Sequence, residues 1–134
     1  MAKYVQPKTF LGEVYQVHGY SHAVILPRNA QLVIASGQPS INKIARMPET
    51  PREQIIACFE NCHIALKAAG VKEGLGAAHK MHCFFTDVKD EPVAMEIWKE
   101  MYPDHRPTWM SVGVKDLCVP GMIVEMQAEA HIVS

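Results

Sequence analysis

The chain has 134 residues, a length that suits one domain around one core, and its 49% hydrophobic and 20% charged residues are an ordinary globular balance. A net charge of −1 supplies no basic field for nucleic acid, and no apolar run approaches the roughly 20 residues that span a bilayer. Residues Met1–Val5 carry no apolar signal segment, so a cytoplasmic protein is expected, with neither nucleic acid nor membrane as a partner.

In chain order, the first strand signal is a weak alternation over Gly12–Val17, followed by the short apolar run Ala23–Leu26. Pro27–Ala30 reads as a turn and Gln31–Ala35 as a buried strand ending at Ser36-Gly37, so the two runs are expected to form a hairpin. Gln38–Glu49, with two prolines and several polar residues, reads as a loop. A helix then starts with Thr50 as N-cap, Pro51 at the first helical position and Glu53 placed for a capping box. Its apolar face is Ile55, Phe59, Cys62, Leu66 and Ala69, and Gly70 is suited to end it.

Ala77–Phe85 reads as a strand with Met81, Cys83 and Phe85 on one face and His82 and Phe84 on the other. A second helix is expected from about Asp90, with Pro92 in its first turn, a stripe of Ala94, Ile97, Trp98 and Met101, and a stop at Pro103. Thr108–Val114 and Met122–Val133 complete the strands. In the last of these, Met122, Val124, Met126, Ala128, Ala130 and Ile132 face one way and Glu125, Gln127, Glu129 and His131 the other. The expected fold is therefore a single α+β domain over residues 1–134, two amphipathic helices covering one face of a mixed sheet. The uncovered face is reason to expect a homo-oligomer.

The four cysteines, at 58, 62, 83 and 118, form no CxxC pair and read as reduced thiols in an intracellular protein. His79 and His82, three apart on a strand, are expected on opposite faces, and no metal site is expected. The eight methionines are dispersed and read as core filler.

Several short motifs carry more information than any of these features alone. Tyr20-Ser21-His22-Ala23-Val24 is similar to Tyr-Ser-Gln-Ala-Val, and Leu32–Gln38 to a strand ending in Ser-Gly-Gln. Lys80–Asp87 is similar to a strand closing in Thr-Asp, and Arg106–Val114 with Val124–Ala128 to a terminal pair of strands. On these motifs, in order and at the right separations from about Tyr20 to Ala130, the chain resembles the RidA (YjgF) family, trimeric proteins that hydrolyse reactive enamines and imines.

The resemblance implies a chorismate-mutase-like homotrimer with a small-molecule substrate in each intersubunit cleft. Each cleft would take the Tyr20 region, Ser36-Gly37, the 108–114 strand and Glu125. No metal or organic cofactor is implied. Glu125 matches the family glutamate that positions or activates water, although it also fits the polar face of an ordinary strand. Ser111 stands where the family places a residue near the reactive carbon, as a hydrogen-bonding group rather than a nucleophile. Tyr20 would stack on the substrate or donate its hydroxyl.

The chain departs from the family pattern at the position that matters most. Trp109 stands where the family carries an arginine that clamps a substrate carboxylate. A guanidinium grips a carboxylate through two parallel hydrogen bonds, whereas indole offers one N–H and a flat apolar face. Trp109 therefore points to an aromatic or neutral substrate, or simply packs at an interface. Arg106, three residues upstream, could restore the clamp or lie exposed without a role. His22 replaces the family glutamine and is either an acid–base group or a polar residue at the cleft rim. Met95 stands about where the family has an asparagine.

Three function classes follow. One is a divergent enzyme acting on an enamine, imine or related conjugated carbonyl compound. Another is a non-catalytic metabolite-binding or scaffold trimer of the same fold. The third, a ribonuclease activity found in the family, is opposed by the near-neutral charge and the lack of a basic aromatic strip.

Overall fold

The computed structural model describes residues Met1–Val133. Among them the main sheet has five strands. Strand β3 (Ala30–Ile34) pairs antiparallel with β7 (Val124–Val133), β7 antiparallel with β5 (Lys80–Phe85), and β5 parallel with the edge strand β6 (Thr108–Gly113). The short β4 (Gln38–Pro39) also pairs with β7. Helices α2 (Pro51–Ala68) and α3 (Glu91–Met101) cover one face, as the sequence pattern predicts.

Local chemistry explains why α2 begins and ends where it does. The Thr50 hydroxyl accepts from the Glu53 N–H at 3.1 Å, and Gly70, at φ 97°, supplies the left-handed residue that turns the chain away. Ile55, Phe59, Cys62 and Leu66 are fully buried against Val124, Met126, Ala128 and Ala130 of β7. Burial pushes the Cys62 thiol up to about 12, and Cys58 and Cys83 are raised for the same first reason.

The N-terminal third departs from the expected strands. Gly12–Val17 lies within a helix, α1 (Phe10–His18), not a strand. Thr9 caps it by accepting from the Gly12 N–H, and Gly19 at φ 99° ends it. A side chain at Gly12 would begin 1.9 Å from the Pro7 carbonyl oxygen, so the close entry of the chain depends on that glycine. The expected hairpin is also absent. The turn forms, with the Ala30 N–H on the Pro27 carbonyl, but β2 (Ala23–Ile25) pairs with β1 (Lys3–Val5) in a separate two-stranded sheet. None of residues 27–30 has the positive φ that tight hairpin turns need, and the ten-residue β7 gives β3 five ladder partners.

Gln54 joins the loops behind the sheet. Its side-chain oxygen accepts from the Ser40 hydroxyl and the Ile123 N–H, each at 2.8 Å. Its amide nitrogen donates to the Pro48 and Gly121 carbonyls. The side chain is almost fully buried, so the four partners have no water to replace it. Gln54→Leu is expected to lower stability by roughly 2–4 kcal/mol, measured by urea unfolding, because it leaves buried polar groups unpaired. A loss under about 1 kcal/mol would mean that those groups find other partners.

On the side of β7 away from the helices, Glu129, His79 and His131 form a linear chain. His79 Nε2 donates to the Glu129 carboxylate at 2.8 Å, and one proton bridges His79 Nδ1 and His131 Nδ1 at 3.0 Å. His79 precedes β5 and meets these two residues rather than His82. Protonating both rings would set two N–H groups head to head. His131 is held below the ordinary histidine value of 6.5 by burial and then by His79. Burial likewise lowers His105, overriding its bond to the Ala78 carbonyl. A depressed folded value stabilises the protein above 6.5, and that stabilisation is lost as pH falls below it. The melting temperature should therefore drop as the pH falls from 7.5 to 5, and less steeply in His105→Gln, which keeps a donor for Ala78. Equal slopes for the two proteins would refute the assignment to His105.

Candidate functional site

Strands β5 and β6 are parallel and joined through α3, so the first turn of α3 lies beside the C-terminal half of β6. That topology brings Glu91, the first residue of α3, onto Ser111 of β6. The Trp109 indole N–H donates to Ser111 Oγ at 3.0 Å, and the Ser111 hydroxyl donates to the Glu91 carboxylate at 3.1 Å. Trp109 and Ser111 share the helix-facing side of the sheet, opposite Met81 and Cys83 in register.

The indole is anchored in the core from behind. It meets Trp98 edge-to-face at 5.1 Å and Phe59 at 6.4 Å. Its other neighbour is Tyr20, whose ring lies 6.2 Å away and within 21° of parallel. Tyr15 of α1 meets Tyr20 edge-on at 5.0 Å. Together Tyr15, Tyr20, Glu91, Trp109, Met110 and Ser111 line a hollow of about 410 Å³. The Tyr20 phenol is raised above 10 by burial, then by the negative charge of Glu91 and by Tyr15.

Glu125 lies on the opposite side of the sheet. It pairs in register with Phe84, which pairs in turn with Val112, while Ser111 lines up with Cys83 and Met126. Alternation therefore sends Glu125 to the face that no helix covers. There it packs on the end of β3: a side chain at Gly37 would begin 2.4 Å from Glu125 Oε2. Ser36 and Gly37 thus gather with Glu125, and Tyr20, Ser111 and Trp109 gather with Glu91. One chain does not bring the two groups together.

The remaining candidates sit elsewhere. The Arg106 Nε donates to the Gln16 carbonyl at the end of α1, and Arg106 lines a separate hollow with Trp98 and Tyr102. His22 stacks on Tyr15 at 4.0 Å, and both its backbone N–H and its Nδ1 meet the Gln6 side-chain oxygen. Met95 is buried and brings no polar group. Tyr15 and Glu91 were not among the sequence candidates. An acid in the first turn of a helix has an ordinary explanation in the helix dipole, and only the parallel β5–α3–β6 connection identifies its partner.

The sequence profile of the family described as Endoribonuclease L-PSP matches residues 12–132. The chain is 31% identical to the mitochondrial protein mmf2 of Schizosaccharomyces pombe over 113 residues, covering 83% of this chain and 86% of that one. Its fold is similar to the conserved Rid family protein YyfB of Yersinia pestis, with a TM-score of 0.81 and 18% identity over 98% of both chains. It is also similar to Escherichia coli TdcF with bound serine, at TM-score 0.67 and 25% identity, covering 87% of this chain and 94% of that one. The chain belongs to the RidA/YjgF family.

Proposed function

We propose that the protein is a divergent RidA-family enzyme that hydrolyses an enamine, imine or related conjugated carbonyl compound lacking a carboxylate, in clefts between copies of the chain. The observation that carries this reading is the separation of the two residue groups across the sheet. Glu125 with Ser36-Gly37 faces one way, and Tyr20, Ser111 and Trp109 face the other. A second copy is needed to complete a site of the family's composition. The open face has apolar groups to bury in such an assembly, since Leu32, Ile34 and Met110 are 50–61% exposed.

In this reading Glu125 takes a proton from water as the water oxygen attacks the C=N carbon. The proton passes to nitrogen, the C–N bond breaks, and a carbonyl compound and an amine leave. Tyr20 and Ser111 orient the reacting group, and the Trp109 face covers it. The chemistry requires no cofactor. Two geometric features argue against the usual carboxylate-bearing substrate. The clamp position holds indole, and the Arg106 guanidinium is turned to the Gln16 carbonyl. The three buried thiols fit a reducing compartment such as the cytoplasm.

The alternative, a trimer that binds a metabolite without transforming it, is favoured by the indole N–H being engaged by Ser111 rather than free for chemistry. Imines generated in situ with and without an α-carboxylate separate the readings when imine loss is followed directly. The carboxylate-free imine should decay faster with the protein, and Glu125→Ala should slow that decay by about a hundredfold or more. Light scattering should give a mass three times that of the 15.0-kDa chain. A monomer, or acceleration unaffected by Glu125→Ala, would sink the proposal; stabilisation by a ligand without turnover would favour the binding trimer.

A further inference from the structure

We propose that the hollow between Tyr15, Tyr20, Trp109 and Glu91 selects an organic cation, a protonated amine or iminium, with Glu91 as its counter-charge. The inference rests on the reading of this hollow as the substrate cleft and adds the sign of the charge it accepts.

Three observations carry it. First, the residues lining the hollow include one carboxylate and three aromatic rings, and no lysine, arginine or histidine. Second, Glu91 forms no ion pair with any described residue. Two basic residues, His18 and Lys99, line an adjoining hollow of about 460 Å³ that Glu91 also borders, and neither pairs with it. Third, the indole and serine donors of the hollow form a relay that ends on the carboxylate. The indole N–H goes to Ser111, and the Ser111 hydroxyl goes to Glu91. An arriving anion would meet a like charge, with the indole and serine donors already engaged.

A cation meets the reverse arrangement. The faces of tryptophan and tyrosine attract positive charge through their ring quadrupoles, and they do so most strongly where water is thin. Burial is the first cause of the raised Tyr20 phenol, and the charge of Glu91 raises it further. For an imine the consequence is chemical as well as steric. Holding the protonated form draws the C=N electrons toward nitrogen and makes the carbon a better target for water. The balance closes without another reagent: an iminium and one water give a carbonyl compound and an ammonium ion.

The test uses three probes of matched shape: benzylammonium, benzyl alcohol and phenylacetate. Binding is followed by calorimetry and by the NMR resonance of the Trp109 indole N–H, assigned with Trp109→Phe. Benzylammonium should bind about tenfold more tightly than benzyl alcohol, with phenylacetate weakest. It should shift the Trp109 resonance and bind more weakly as salt rises. Glu91→Gln keeps an acceptor for Ser111 and should reduce the preference for the cation to near parity. Equal affinity for the three probes in the wild-type protein, or benzylammonium binding that leaves the Trp109 resonance unmoved, would overturn the inference. Glu125→Ala separates it from the hydrolytic reading, because this variant should retain cation binding while losing turnover. A wild-type protein that prefers the cation yet hydrolyses no imine would overturn the hydrolytic reading alone.

Discussion

The register of three strands governs what this chain can do. Strand β5 lies between β6 and β7, with Cys83 opposite both Ser111 and Met126, and Phe84 opposite both Val112 and Glu125. Side chains alternate across a sheet with a period of two, so this pairing places the indole and serine on the helix side and the glutamate on the open side. A slip of one residue in the β5–β7 ladder would put Glu125 and Glu129 into the apolar layer beneath α2, which the buried Val124, Met126, Ala128 and Ala130 make costly. The packing of the core therefore holds Glu125 and the Trp109–Ser111 pair on opposite faces.

The aromatic cleft is continuous with the core. Phe59 of α2 and Trp98 of α3 form a rigid backing for Trp109, and Tyr20 extends the series outward. A long arginine at position 109 would have to leave this apolar seam to bring its charge to a ligand. Indole can stay in it and present a face. Replacing one with the other therefore does more than delete a charge. It extends the apolar interior into the cleft and makes the remaining polar groups, Ser111 and Glu91, the main electrostatic feature there.

Regular elements with strong periodicity were legible before any coordinates. The N-cap at Thr50, the buried stripe from Ile55 to Leu66, the alternation of β7 and the start of α3 near Asp90 all stand where the pattern puts them. In the N-terminal third the weak alternation over Gly12–Val17 misleads: Phe10, Leu11, Val14 and Val17 recur at helical spacing, but Phe10, Leu11 and Val17 stay exposed rather than packing on the core. The existence of α1 depends on a cap at Thr9 and on a close approach at Gly12 that only geometry reveals. Gln54 carries no sequence signal of its role. It occupies a buried position on the apolar face of α2, and its role lies in loop atoms distant in sequence. Among the site residues, Tyr20, Ser111 and Trp109 do meet in one hollow, while Arg106 and His22 are held by Gln16 and Gln6.

The two glutamates show how environment divides similar residues into different parts. The carboxylate of Glu125 lies beside Gly37, where any side chain at position 37 would displace it. Glu91 is held by directed donors, a serine hydroxyl that itself accepts from an indole. A carboxylate that no donor engages retains lone pairs for a water molecule, as a base requires. A carboxylate already accepting a hydrogen bond, beside aromatic faces and without a cationic partner, suits the role of a standing negative charge instead. In the proposed mechanism the first moves a proton and the second holds a positive ligand, from opposite faces of one sheet.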